Sequence, residues 1–129
     1  MAKQIIKPAD LAPATGYSYA IKKTGTPLFI SGQVALDGQG KLVGENDAAA
    51  QTEQVLKNLK SVVEAAGGTL DDIVKITIFV TDPAFRPAVA AARLKWFKEG
   101  QWPASTYLVV SALAVPTMLV EIEAVAMIG

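Results

Sequence analysis

Residues 119–128 read Leu-Val-Glu-Ile-Glu-Ala-Val-Ala-Met-Ile, which predicts a β-strand with two distinct faces. Successive side chains of a strand point to opposite faces, so the even positions share one face and the odd positions share the other. Both faces are mostly apolar, which predicts a strand that is covered on two sides. One face nevertheless carries two carboxylates, Glu121 and Glu123. Because a buried, unpaired carboxylate is unfavourable, each glutamate is expected at a wet rim or in a functional site.

Three further segments predict the remaining strands. Residues 103–110 form a mostly apolar run that a proline-containing turn separates from the last strand, and residues 73–80 form a β-branched run with one apolar face. Residues 17–23 and 28–34 are interpreted as the two strands of a β-hairpin. Within the second of these, Gly32 suggests either a simple bulge or the close approach of a ligand or another backbone.

Two segments have the spacing of amphipathic helices. The first lies between a capping residue at 46 or 47 and the Gly-Gly pair at 67–68, and the second lies between Asp82 and Gly100. The polar side chains of both helices are expected to face solvent. In the first helix these side chains are Gln51, Glu53, Lys57, Lys60 and Glu64, and in the second helix they are Arg86, Arg93, Lys95 and Lys98.

The predicted order of elements is β-β-α-β-α-β-β, within one domain that spans residues 1–129. Right-handed crossovers place both helices on the same face of one mixed sheet. The other face is expected to be nearly all apolar and therefore to be covered by another copy of the chain. Self-association of this kind would create clefts between subunits.

Composition excludes several classes of function. The chain has no cysteine and no histidine, which removes thiolate chemistry, imidazole ligands and the usual base near neutral pH. Twelve basic residues balance twelve acidic ones without a basic stripe, so no nucleic-acid or membrane partner is expected. The N-terminus lacks the apolar core of a signal peptide and no apolar run is long enough to span a bilayer, so a soluble, cytoplasmic protein is expected.

Several short segments, taken together, resemble one family across nearly the whole chain. They are residues 16–18, 28–34, 50–52, 58–60, 65–67, 72–75, 79–82, 103–104 and 120–126. The sequence resembles the reactive-intermediate deaminases, the RidA/YjgF family, which is also called endoribonuclease L-PSP. This resemblance implies a chorismate-mutase-like α+β fold and a homotrimer whose sheets form a central barrel. It also implies three small-molecule clefts at the subunit boundaries.

The resemblance implies a chemistry and a set of cleft residues. Active members hydrolyse imines or enamines to a keto acid and ammonia. By resemblance, Tyr17, Ser31 and Gly32 would bind the substrate, and Glu121 would be the catalytic residue that holds the water. The chemistry requires an anchor for the substrate carboxylate, a proton donor and a positioned water molecule.

The sequence departs from the family at the substrate anchor. Active deaminases have an arginine directly after Pro-Ala, whereas this chain has Ser105, followed by Thr106 and Tyr107, which are the remaining candidate substrate-binding residues. The asparagine that the family places on the second helix is also missing, and Ala90 is the nearest residue. Two explanations remain open. Either the ligand lacks a carboxylate, which is favoured because the helix pattern directs the arginines outward, or Arg86 or Arg93 supplies the charge.

Three functions are therefore considered. The first is hydrolysis of an imine, an enamine or a related small metabolite that is not a simple imino acid, and the second is metabolite binding by a trimer without turnover. RNA cleavage is disfavoured because there is no histidine for acid-base chemistry and no aromatic platform for bases. No cofactor or metal is expected, since Glu121 and Glu123 alone do not make a metal site.

Overall fold

The computed structural model describes residues 3–129. In this part of the chain, six strands and two α-helices form an α+β fold with a mixed sheet, as expected. In chain order they are β1 (Gln4–Ile6), β2 (Ala20–Lys22), β3 (Thr26–Gln33), α1 (Ala48–Ala65), β4 (Ile73–Val80), α2 (Arg86–Trp96), β5 (Ala104–Val109) and β6 (Val120–Ile128). Within residues 3–129, neither helix is long and apolar enough to cross a membrane.

Strand β6 lies inside the main sheet, whose order is β3-β6-β4-β5. It pairs antiparallel with both β3 and β4, while β5 runs parallel to β4. The even positions of β6 from Val120 to Ala126 are buried. The strand predicted for residues 119–128 is therefore present, but within one chain only its even face is fully buried, and Glu123 on the odd face is exposed.

Helices α1 and α2 cover one face of this sheet, as expected from the crossovers. Leu56 and Leu59 of α1 and Val89 of α2 are fully buried in the same apolar cluster as the inward-facing residues of β4 and β6. Full burial of a side chain of this size contributes about 1.5–3 kcal/mol. The Asp47 carboxylate accepts a hydrogen bond from the amide of Ala50 at 3.0 Å and so caps the start of α1.

Gln51 is buried, so the expectation that it faces solvent is wrong. Its exposed fraction is 0%, and its side-chain nitrogen donates to the carbonyls of Gly44 at 3.1 Å and Thr117 at 3.0 Å. Its side-chain oxygen accepts from the amide of Leu119 at 2.8 Å. An amide can donate and accept at once, so this one side chain satisfies backbone groups of two loops and joins α1 to the start of β6.

The expected hairpin of residues 17–23 and 28–34 is also wrong, because β2 and β3 do not pair. Strand β2 pairs antiparallel with β1, which was not predicted, in the register Gln4↔Lys22, and β3 pairs with β6. Lys23 lies in the segment that connects β2 to β3. Its ammonium donates to the Asp72 carboxylate and, at 2.8 Å, to the carbonyl of Met127, and so fixes this segment at the end of the main sheet. Alternation and turn residues predict strands but not their partners.

The face of the main sheet opposite the helices, called the open face below, is more polar than expected. By register it presents Phe29, Lys75, Thr77, Phe79, Thr106, Leu108, Glu121, Glu123 and Val125. Phe29 is the most exposed large apolar side chain among residues 3–129, at 78%. The open face therefore combines an apolar anchor with charged groups of both signs.

Candidate functional site

Residues 15–18 lie against the start of β5 and the end of α2. The amide of Ser18 donates to the carbonyl of Pro103 at 3.2 Å, and the Ser18 hydroxyl donates to the carbonyl of Trp102. The Arg93 guanidinium donates to the carbonyl of Gly16 at 2.7 Å. Gly16 has φ of +76°, a left-handed conformation that favours glycine. These contacts place the following residue, Tyr17, over the groove between α2 and β5.

A cavity of about 430 Å³ lies in this groove and is called the α2–β5 cavity below. Its lining residues are Thr15, Gly16, Tyr17, Ile78, Arg86, Ala90, Arg93, Leu94, Ser105 and Tyr107. It therefore brings together three of the candidate substrate-binding residues, Tyr17, Ser105 and Tyr107. Ala90, which stands nearest to the family's missing asparagine, lies in the same wall. The volume falls within the range of small-molecule sites.

Both arginines of α2 line this cavity. Arg86 is exposed, as expected, but the expectation that Arg93 faces solvent is wrong. Arg93 is only 8% exposed, and it lies four residues after the buried Val89, on the same stripe of the helix. The guanidinium carbon of Arg86 lies 5.7 Å from the centre of the Tyr107 ring. Burial lowers the pKa of Arg93 from its ordinary value, but a guanidinium stays protonated in proteins.

Tyr107 carries a buried hydroxyl that no group in residues 3–129 satisfies. Burial raises the pKa of Tyr107, and the positive charge of Arg86 partly opposes this effect. The phenol is therefore neutral near pH 7 and can donate a hydrogen bond. No acidic side chain is among the lining residues of the cavity. Its polar groups are hydroxyls and two cations.

Thr106 lies on the other side of β5 from Ser105 and Tyr107. Adjacent strand residues point to opposite faces, and Thr106 is exposed on the open face, where its hydroxyl accepts from the Lys75 ammonium at 2.6 Å. Thr106 is therefore outside the α2–β5 cavity. The alternation of residues 103–110 could have separated it from its neighbours.

Gly32 and Glu121 form a second group of candidate residues. The pairing of β3 with β6 shifts between Ile30 and Gln33, which confirms the bulge that the glycine suggested. A Cβ atom on Gly32 would overlap the Glu121 carboxylate and would lie 2.8 Å from its Cδ atom. The carboxylate therefore rests directly against the Cα atom of Gly32, with the exposed Ser31 beside it in the chain. In residues 3–129 no cluster of acidic side chains could hold a metal ion.

The two groups lie on opposite faces of the sheet. The α2–β5 cavity is on the helix face, where Ile78 of β4 forms part of its wall. Glu121 is on the open face, opposite Phe79 of β4. Within one chain the Glu121 carboxylate therefore does not face the cavity that contains Ser105.

Comparisons with known proteins identify the family. The family model described as Endoribonuclease L-PSP matches residues 7–128. A RutC family protein of Pyrococcus horikoshii is 38% identical over 114 residues, which are 88% of each chain. YyfB from Yersinia pestis is a Rid family protein of unknown function whose crystal structure is known. It is 38% identical to this chain, the match covers 99% of this chain and 100% of YyfB, and the TM-score is 0.93. RidA from an Antarctic Psychrobacter is 34% identical, with 97% and 99% coverage and a TM-score of 0.74. The chain therefore belongs to the RidA/YjgF family.

Proposed function

We propose that the protein is a small-molecule hydrolase of the Rid type that acts on an imine, an enamine or a related metabolite. The observation that carries this proposal is the α2–β5 cavity, around which Tyr17, Ser105 and Tyr107 converge. A small cavity with apolar walls and a few convergent polar groups is typical of a small-molecule site. Family membership over residues 7–128 supports the choice of chemistry.

An enamine first takes a proton from water on its β-carbon and loses one from nitrogen, which gives the imine, and the reaction then adds water across the carbon–nitrogen double bond. Oxygen bonds to the carbon, the nitrogen receives protons, and the tetrahedral adduct then releases ammonia and leaves a carbonyl group. In this proposal the Glu121 carboxylate orients the attacking water and accepts its proton. Gly32 supports this role because its bare Cα atom gives the carboxylate a fixed position.

The proposal requires more than one copy of the chain. Since the cavity and Glu121 lie on opposite faces, the Gly32–Glu121 group of one copy must meet the α2–β5 cavity of another. A cyclic homotrimer meets this requirement, because a heterologous interface joins two different surfaces at every boundary. The exposed Phe29 on the open face supports such an assembly.

The test is ammonia release from freshly generated 2-aminoacrylate and a panel of larger imines, measured above the spontaneous rate. We expect Glu121→Gln to lower kcat/KM by about 10²-fold or more, because the amide cannot accept the proton. Glu123→Gln is the matched control, since Glu123 is exposed two residues further along the same face. Equal activity of Glu121→Gln and the unmodified protein would contradict the assigned role.

Metabolite binding without turnover is the second candidate. It is favoured by one observation, the neutral hydroxyl of Ser105 at the position where active members have an arginine. Saturable binding of the same compounds without ammonia release would support it over the hydrolase.

A further inference from the structure

We infer that Arg86 and Arg93 of α2 replace the missing arginine at position 105 as the anchor for a ligand carboxylate in the α2–β5 cavity, and that the apolar wall of the cavity selects the rest of the ligand. This inference rests on the proposed function, because it names the ligand class of the same cavity. It reverses the preference that the sequence suggested, in which Ser105 indicated a ligand without a carboxylate.

The charges of the cavity are not balanced by the protein. Within residues 3–129, the salt bridges are Lys3–Asp71, Lys23–Asp72 and Lys95–Glu53, so neither Arg86 nor Arg93 is in an ion pair. Arg93 has five N–H donors but makes one hydrogen bond, to the carbonyl of Gly16. A guanidinium that is buried to this degree without an anion is unfavourable. A ligand carboxylate would supply the missing charge and the missing acceptors.

The hydroxyl of Tyr107 gives an independent reason to expect a ligand with a hydrogen-bond acceptor. It is buried and has no partner among residues 3–129, although most buried polar groups are hydrogen-bonded. Arg86 lies over the ring of the same tyrosine. A carboxylate that binds between the two arginines could therefore accept a hydrogen bond from this phenol.

The remaining wall selects the other end of the ligand. Ile78, Ala90 and Leu94 form an apolar surface in the same cavity. Because this surface offers no hydrogen bond from its side chains, it favours an aliphatic or aromatic group over a second charge. A fully hydrated anion such as inorganic phosphate would leave this apolar surface uncovered.

The experiment is calorimetric titration with propionate, 4-methylpentanoate and phenylacetate, each beside its neutral amide, and with inorganic phosphate. We expect at least one carboxylate with a larger side group to bind tenfold or more tightly than its amide and than phosphate. Arg86→Gln and Arg93→Gln should each weaken that binding at least tenfold. Lys98→Gln is the matched control, since it removes the same charge from an exposed position beyond the end of α2.

Arg86→Gln and Tyr107→Phe keep the test decisive if Arg93→Gln fails to fold because the contact of Arg93 with Gly16 is lost. Arg86 is exposed at the cavity mouth, and Tyr107→Phe removes only a hydroxyl that the protein leaves unpartnered. Tyr107→Phe should therefore keep or raise the Tm and yet weaken carboxylate binding. Unchanged binding in both variants, or equal binding of every carboxylate and its amide, would overturn the inference.

Failure of the inference is distinguishable from failure of the proposed function. Carboxylate binding that depends on Arg86, without any ammonia release, would leave the inference in place and contradict the hydrolase. Turnover of imines with no preference for a carboxylate would support the hydrolase and overturn the inference.

Discussion

At the scale of single residues, the missing side chain of Gly32 determines where the Glu121 carboxylate can lie. The two residues are far apart in sequence, but the bulge in β3 brings the Cα atom of Gly32 against the carboxylate. The glycine is needed here for space rather than for an unusual backbone conformation, since its φ is not in the left-handed range. Its role can therefore be tested with the smallest possible side chain.

We predict that Gly32→Ala lowers kcat/KM to nearly the level of Glu121→Gln while the Tm stays within a few degrees. The added methyl group would displace the end of a flexible side chain, which moves without distorting the backbone. Gly38→Ala is the matched control, because no atom lies within 4 Å of its Cβ position. Ammonia release and thermal unfolding measure the two effects. Full activity of Gly32→Ala would show that the position of Glu121 does not matter.

The sequence indicates the residue types of the site better than their surroundings. Tyr17, Ser105 and Gly32 stand where apolar strand patterns give way to polar groups, and this signal is local. The surroundings of Arg93 and Gln51 cannot be read from neighbouring residues, because Arg93 donates to the carbonyl of Gly16 and Gln51 to that of Thr117, both far away in the sequence. A pattern that assigns long polar side chains to solvent cannot anticipate such partners.

At the scale of secondary structure, the β1–β2 ribbon depends on tethers to the rest of the fold. Each strand has three residues, and an isolated two-stranded ribbon is marginally stable in water. The Lys3 ammonium donates to the Asp71 carboxylate at 3.0 Å and to the carbonyl of Gln101 at 3.0 Å. Lys23 makes a second tether, to Asp72, at the same end of the ribbon, since Gln4 pairs with Lys22.

We predict that acid loosens the β1–β2 ribbon through protonation of Asp72. Partial burial alone raises the pKa of Asp72, but hydrogen bonds from Lys23 and the Thr69 amide outweigh it and hold the pKa below its usual value. Because the folded-state pKa is depressed, the stabilisation is complete above the unfolded-state pKa of about 4 and is lost as the pH falls through the folded-state pKa. Hydrogen exchange of the backbone amides of residues 4–6 and 20–22, followed between pH 6 and pH 3, measures this loss of stabilisation.

The matched comparison uses two asparagine variants. Asp72→Asn should expose the ribbon at pH 6 and remove most of its pH dependence, whereas the exposed Asp10→Asn should resemble the unmodified protein. A ribbon in Asp72→Asn that stays as protected at pH 6 as in the unmodified protein would show that other contacts hold it.

The existence of the strands and helices is predictable from the sequence, but the partner of β2 is not. Periodicity depends on neighbouring residues, so it identifies β4, β6 and both helices. Strand pairing depends on contacts such as those of Lys23 with Asp72 and Met127, which lie far away in the sequence. The three-residue β1 is too short to give an alternation signal.

At the scale of the whole molecule, the two groups of site residues determine what kind of assembly could be active. The α2–β5 cavity and Glu121 are on opposite faces of one sheet. If the proposed cleft forms between copies, each cleft takes its cavity from one chain and its carboxylate from the next. Two inactive variants, one in each group, should then complement each other.

We predict that co-expression of Glu121→Gln with Ser105→Phe restores activity that neither variant has alone. The phenylalanine ring fills the cavity of its own chain but leaves Glu121 intact, and the other variant has the opposite defect. With random assembly of equal amounts in a ring, about a quarter of the clefts combine an intact cavity with an intact carboxylate. Ammonia release by the purified mixed oligomer should therefore reach about a quarter of the unmodified rate.

Co-expression of Ser105→Phe with Gly32→Ala should give the same recovery, whereas Glu121→Gln with Gly32→Ala should give none, because those two defects lie in the same group. Absence of recovery in a confirmed mixed oligomer would mean that each chain must complete its own cleft.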